Sequence, residues 1–352
     1  MRILTQGCAA FVLALTLSLV PVITEADGVR KVDGTPGANA EPKRRSFEFT
    51  YKVSIAETPP GAKQLKVWLP YPKSDHNQEI FDIRISSPAS ATVYTEPRYG
   101  NAILYVSPPE LQAAPLNLEM SFKVRRAEYL RKDLGQSKPV PGGALDPDVK
   151  KYLNPDRLVP VNEQVRQWSS EVIKGKKTDL EKARAIYDYT LATIKYDKSG
   201  EGWGRGDILY ACDAKRGNCT DFHAVFIGFC RAAGIPARFE IGFPLPEKRG
   251  SGEISGYHCW AEFYLNGYGW VPVDVSEAWK RPEKREYFFG GNDENRVLFS
   301  IGRDIVLRPQ QQSTPLNYFI YPYVEADGKP LTAVKKELYF KDLNDEGVTK
   351  VE

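Results

Sequence analysis

Between Phe47 and Arg126 the chain alternates apolar and polar residues with a period of two. The pattern runs through Phe47-Glu48-Phe49-Thr50-Tyr51-Lys52-Val53, then Leu65-Lys66-Val67-Trp68-Leu69, then from Leu116 to Val124. Such alternation places the apolar set on one face of a strand. Pro59-Pro60-Gly61 and Tyr99-Gly100-Asn101 supply turns, and short strands between frequent turns predict a β-sandwich over residues 46–126. Residues 127–160, rich in Pro, Gly and Asp, read as an interdomain connection, and residues 27–45 as a linker.

The period then lengthens. A helix is expected from Val161 to Ile173, and Thr178 to Glu181 forms a capping box ahead of a stripe at Ala183, Ile186, Tyr187, Thr190, Leu191 and Ile194. Phe222, Val225, Phe226 and Phe229 mark a further buried helical face, with Asn218 as N-cap, Asp221 in the first turn, and Gly234 and Pro236 at the end. Two alternating runs follow. Cys259, Ala261, Phe263 and Leu265 form one apolar set and Val271, Val273 and Val275 the other, with Asn266-Gly267-Tyr268-Gly269 between them. This predicts a β-hairpin in a second domain over residues 161–308, followed by a C-terminal β-hairpin extension over 309–352 that turns at Asp327-Gly328.

These predictions bring three chemically active side chains together. Cys219 falls on the first turn of an apolar helix, where unpaired amides and the positive end of the dipole favour thiolate. On the hairpin, the face opposite the apolar set carries His258, Trp260, Glu262 and Tyr264 from one strand and Trp270, Pro272 and Asp274 from the other. His258 and Asp274 therefore share a face, directly opposed or diagonal, provided the loop is odd in length or bulged. A thiolate, an imidazole and an orienting carboxylate suit acyl transfer. On the same helices Cys230 reads as a buried structural thiol and His223 as a packing histidine bonded to the backbone. Cys212 and Cys259 are either disulfide-bonded or buried thiols.

At this level the chain resembles the transglutaminase-like superfamily within the wider papain-like group. The matching residues are Gly202-Trp203-Gly204, Arg216 to His223, Ala232 to Arg238, Tyr257 to Tyr264 and Gly269 to Asp274. The resemblance implies an α+β fold, with the nucleophile Cys219 at a helix N-terminus packed on an antiparallel sheet. It implies His258 as base, Asp274 as its orienting partner, and a thioester formed by attack on an amide and resolved by water or an amine. The preceding sandwich looks like the immunoglobulin-like modules that often accompany such domains. By position Trp203 is the candidate oxyanion side chain, alongside the amide of Cys219; Tyr257, Trp260 and Trp270 are candidate cleft walls.

Composition narrows the rest. The 48 basic and 45 acidic residues leave a net charge of +3, and no basic stripe interleaved with aromatics suggests nucleic acid. Arg2, the apolar run from Ala9 to Val20 and Thr24-Glu25-Ala26 read as a signal peptide over residues 1–26, hence a secreted or periplasmic protein without stable membrane insertion after cleavage. The cysteines and histidines lack the paired short spacing of a structural zinc site, and no calcium loop occurs, so no metal or cofactor is expected. A protein or peptide is the expected substrate. The competing reading is a secreted binding or structural protein that keeps the fold without turnover.

Overall fold

The computed structural model describes residues 41–111, 115–131, 134 and 145–344. The expected signal peptide, most of the linker and part of the interdomain connection lie outside the described residues. Strands β1 (Arg44–Ile55), β2 (Leu65–Tyr71), β3 (Gln78–Ser86), β4 (Ala91–Thr95), β5 (Ala102–Val106) and β6 (Leu116–Ala127) come first. Helices α1 (Glu163–Val172), α2 (Asp179–Thr193), α3 (Ile208–Ala214) and α4 (Cys219–Ala232) follow. Then come β7 (Ala237–Pro244), β8 (Ser251–Glu253), β9 (His258–Leu265), β10 (Gly269–Val273) and the short α5 (Val275–Lys280). The last strands are β11 (Arg296–Ile301), β12 (Tyr323–Ala326), β13 (Lys329–Pro330) and β14 (Lys335–Asp342).

The alternation read in the sequence is the alternation of burial. Phe47, Phe49, Tyr51, Val53 and Ile55 of β1 are all buried, as are Leu118, Met120, Phe122 and Val124 of β6. These strands lie at the centre of a five-stranded sheet ordered β8-β14-β1-β6-β3; a second five-stranded sheet runs β13-β12-β2-β5-β4. Both sheets recruit strands from the C-terminal end. The expected C-terminal hairpin extension is thereby corrected: Asp327 and Gly328 do turn β12 into the short β13, but β14 pairs with β1 and β12 pairs with β2. Local pattern could not reveal this, because an alternating strand satisfies its apolar face equally well against any sheet with a free edge.

The third sheet, ordered β10-β9-β7-β11, is antiparallel and carries α4 on one face. Its β7 and β11 meet the sandwich directly, with Phe243 and Phe299 packed around Phe49 at 5.4 and 5.5 Å between ring centroids. Helix α4 is buried on nearly all sides, because α1, α2 and α3 cover what the sheet leaves open. Even its Arg231 is enclosed; it donates to Asp156 at 2.6 Å and to the carbonyl of Ala237 at 3.0 Å. Among the described residues no helix is long and apolar enough to cross a membrane.

Breaking a buried ion pair from one side leaves the other charge stranded. Arg231→Met should therefore lower unfolding stability by about 3–5 kcal/mol, read from the urea midpoint at unchanged slope. A loss typical of an exposed pair would contradict the enclosure described here.

Candidate active site

Asn218 caps α4: its side-chain oxygen accepts from the amide of Thr220 at 2.9 Å, and Asp221 accepts from the amide of Asn218 at 2.9 Å. Asp221 does more than the capping expected of it. Its carboxylate also accepts from the amides of Gly204 at 2.6 Å and Gly206 at 3.0 Å, which ties the loop before α3 to the helix start. Gly217 makes room for that carboxylate, since a Cβ there would lie 2.2 Å from its Oδ2. These contacts fix the position of Cys219, the first residue of α4, which is 3% exposed. As a first-turn residue it has a backbone amide with no intrahelical carbonyl to meet.

The hairpin supplies the other two groups. Leu265 pairs with Gly269, so the loop is the three residues Asn266, Gly267 and Tyr268, with Gly267 at φ 77°. The odd length keeps the two apolar sets on one face, as required. Asp274 stands one residue past the Ala261–Val273 pair, beyond the end of β10, where its side chain caps α5 by accepting from the amide of Glu277 at 3.0 Å. His258 opens β9 opposite Gly242 of β7. Gly242 lies at a register shift in β7, and a Cβ there would be 1.8 Å from the carbonyl of Val297.

His258 donates through Nε2 to Asp274 Oδ2 at 2.7 Å, which leaves Nδ1 as the ring nitrogen available to the nearby Cys219. Arg296 donates to the same Oδ2 at 2.9 Å and lies 4.9 Å over the Trp260 ring, a partner that sequence pattern gave no sign of. Burial works against a charged imidazole, but the charge and hydrogen bond of Asp274, with the Cys219 sulfur, raise His258 to about 10. Cys219 is held well below the ordinary thiol value by a hydrogen bond from Cys259 and, against the cost of burial, by the hydrogen bond and charge of His258. The arrangement favours a thiolate–imidazolium pair through the neutral range.

His223 has the backbone role expected of it. Its Nδ1 donates to the carbonyl of Cys219 at 2.7 Å and its Nε2 accepts from the amide of Val275 at 3.1 Å, the neutral tautomer. Burial lowers its pKa in the same direction. Cys212 and Cys259 are free thiols, so the disulfide alternative gives way to that of separate thiols, and Cys259 lies 3.7 Å from His223 Nδ1.

The expected cleft aromatics divide. Tyr257 stands beside the nucleophile, its hydroxyl 2.9 Å from Thr220 Oγ1 and 3.1 Å from Asn218 Nδ2, with Tyr318 and Tyr321 packed against its ring. Trp260 is fully buried and donates to Glu240 at 2.6 Å, so it backs the histidine rather than lining a cleft. Trp270 pairs with Tyr264, six positions and roughly 20 Å along the strand from His258, under the Arg238 guanidinium. Trp203 donates its indole N–H to the carbonyl of Gly200 at 3.0 Å, so that hydrogen is committed within its own loop instead of to an oxyanion. A shared strand face groups residues by direction, not by distance along the strand, so Trp270 shares the face of His258 yet lies outside the site. On the histidine side a cavity of about 340 Å³ is lined by charged residues including Glu277, Lys280, Arg281 and Asp293.

Comparison with known proteins bears on this geometry. A family model described as the transglutaminase-like superfamily matches residues 166–275. An uncharacterised protein of Haemophilus influenzae is 29% identical over 333 residues, spanning 85% of this chain and 90% of that one. Among solved structures, a candidate cysteine protease from Cytophaga hutchinsonii is 14% identical and covers 87% of this chain and 93% of its own, with a TM-score of 0.59; it shares the fold. The periplasmic domain of TgpA from Pseudomonas aeruginosa is 17% identical over 71% of this chain and 92% of its own, with a TM-score of 0.37.

A thiol depressed in this way is thiolate above its lowered pKa and loses reactivity only as pH falls through that value. Iodoacetamide should therefore label Cys219 at a rate nearly flat across neutral pH, falling on the acid side, where an ordinary thiol would accelerate steeply with rising pH. In Asp274→Asn, which removes the charge that raises His258, the inflection should move to higher pH. An inflection at the same pH in both proteins would refute the charge coupling.

Proposed function

We propose that this chain, whose residues 166–275 match the transglutaminase-like superfamily model, is an exported cysteine-dependent acyl-transfer enzyme acting on amide bonds of a protein or peptide. The observation that carries this reading is a buried histidine bonded through one ring nitrogen to a buried carboxylate and coupled in charge to a helix-start cysteine.

In this reading the Cys219 thiolate attacks the amide carbonyl. The amide of Cys219, at the positive end of α4, donates to the developing oxyanion. His258, carrying its proton on Nδ1, passes it to the departing amine, and a thioester remains on Cys219. Its Nδ1, now unprotonated, then takes a proton from the incoming water or primary amine as that group attacks the thioester. Asp274 holds the ring in the required tautomer and offsets the imidazolium charge. Arg296, bonded to the same carboxylate oxygen, keeps Asp274 ionised: its carboxyl lies well below the usual range because the charges of His258 and Arg296 outweigh burial. Export rests on the leader read at residues 1–26.

The test is acyl-enzyme trapping by intact mass on peptide amides, with and without an added primary amine. Cys219→Ala should form no adduct while keeping its thermal unfolding; an adduct on the variant would remove Cys219 from the role. Asp274→Asn should reduce turnover by on the order of 10⁴-fold, against roughly 10⁶-fold for loss of His258, since orientation supports the reaction but does not replace the base. Trp203→Phe should fall far short of the roughly 10²–10³-fold loss that follows removal of an oxyanion donor; a loss of that size would restore Trp203 to the oxyanion site. Unselective, sluggish alkylation of all the cysteines would instead favour a binding protein.

A further inference from the structure

Beneath the first turn of α4 lies a second sulfur that the proposed mechanism does not use. Cys259, the residue after His258, points to the apolar face of β9 and is fully buried. Its Sγ is 3.8 Å from Thr220 Oγ1 and 3.7 Å from His223 Nδ1, and that same nitrogen bonds the carbonyl of Cys219 at 2.7 Å. Cys259 is thus enclosed by the helical turn that Cys219 begins, where its thiol helps to hold the Cys219 sulfur below the ordinary thiol value. The other thiols lie elsewhere: Cys230 is buried eleven residues further along α4, and Cys212 is half-buried on α3.

We infer that Cys219 and Cys259 form a reversible redox pair, in which Cys259 resolves peroxide oxidation of Cys219 as an intramolecular disulfide. The inference rests on the reading of Cys219 as a reactive thiolate. In the first step the Cys219 sulfur attacks one oxygen of a hydroperoxide, the O–O bond breaks, and Cys219 sulfenic acid and a hydroxide (or alkoxide) are formed. In the second the Cys259 sulfur attacks the sulfenic sulfur; the S–O bond breaks, and the departing hydroxide takes the Cys259 proton and leaves as water. With hydrogen peroxide, two thiols and one peroxide become one disulfide and two waters, so the electrons balance without another reactant. A dithiol reverses the change by exchange through a mixed disulfide.

Geometry decides the outcome between two fates. A sulfenic acid with no thiol at hand is open to a second peroxide and goes to the sulfinic acid, which does not revert. A thiol packed under the same helical turn intercepts it intramolecularly, where proximity replaces collision. Burial keeps the Cys259 thiol protonated and unreactive toward outside electrophiles, so it spends its nucleophilicity on its neighbour alone. Closing the bond brings the two sulfurs to about 2.05 Å.

The experiment treats the full-length mature protein with limiting hydrogen peroxide, blocks free thiols, and maps peptides by non-reducing mass spectrometry. The expected product joins the Cys219 and Cys259 peptides with loss of two hydrogens, and dithiothreitol restores nearly all iodoacetamide labelling of Cys219. In Cys259→Ser, an isosteric change, Cys219 should gain two oxygens and dithiothreitol should recover only a small fraction of labelling. Sulfinic acid forming on wild-type Cys219 as readily as on the variant, or a link from Cys219 to Cys212 or Cys230, would overturn the inference. Wild-type mapping needs no variant, so misfolding of Cys259→Ser would not spare the idea. Labelling before oxidation separates the two readings. Selective labelling of Cys219 without the Cys219–Cys259 bond sinks the redox pair and leaves the catalytic reading standing. The bond without selective labelling sinks the catalytic reading alone.

Discussion

A carboxylate with no exposed surface must find every one of its partners inside the protein, and Asp274 draws them from several directions. Its Oδ2 accepts from His258 and Arg296, while its Oδ1 accepts from the amide of Glu277 and lies 3.3 Å from the Ser276 hydroxyl. An unpaired buried charge would cost several kcal/mol, so β9, β11 and the start of α5 are bound to converge on this point. The histidine is held because the aspartate is held. Removing Asp274 would leave both His258 and Arg296 without their shared counter-charge.

The same economy explains how the sandwich enters a site it does not contribute to chemically. Helix α4 must bury thirteen of its residues, and one four-stranded sheet covers only one side of it. The sandwich packs against the far end of that sheet, its Phe49 lying between Phe243 of β7 and Phe299 of β11. The C-terminal strands then close the sandwich by lying on both of its sheets. Two segments far apart in the chain, β1 and β14, thus become neighbours, pinned by Arg45 donating to Asp342 at 2.7 and 2.9 Å.

Sulfur chemistry at the helix start is shaped by the same crowding. The first turn of α4 is surrounded by the hydroxyls of Thr220 and Tyr257, the neutral ring of His223 and the thiol of Cys259. A thiolate in such a pocket is stabilised by hydrogen-bond donors, and the same crowding places a second sulfur under the turn.

How much of this was legible in the chain follows from the range of the forces involved. Alternation over Phe47 to Val53 and Cys259 to Val275, the cap at Asn218 and the stripe from Phe222 to Phe229 are local matters of backbone period and side-chain hydration. They determined the strands, the helix start carrying Cys219, the odd hairpin loop and the shared face of His258 and Asp274. Only the tertiary structure decided that Arg296 completes the aspartate's shell, that Asp221 anchors the loop of Gly204 and Gly206, that Trp260 is sealed against Glu240, that the Trp203 N–H is spent on Gly200, and that β14 belongs to the sandwich. Each of those depends on which groups, distant in the chain, are driven together when buried charges and donors must be paired, and no periodicity encodes that choice.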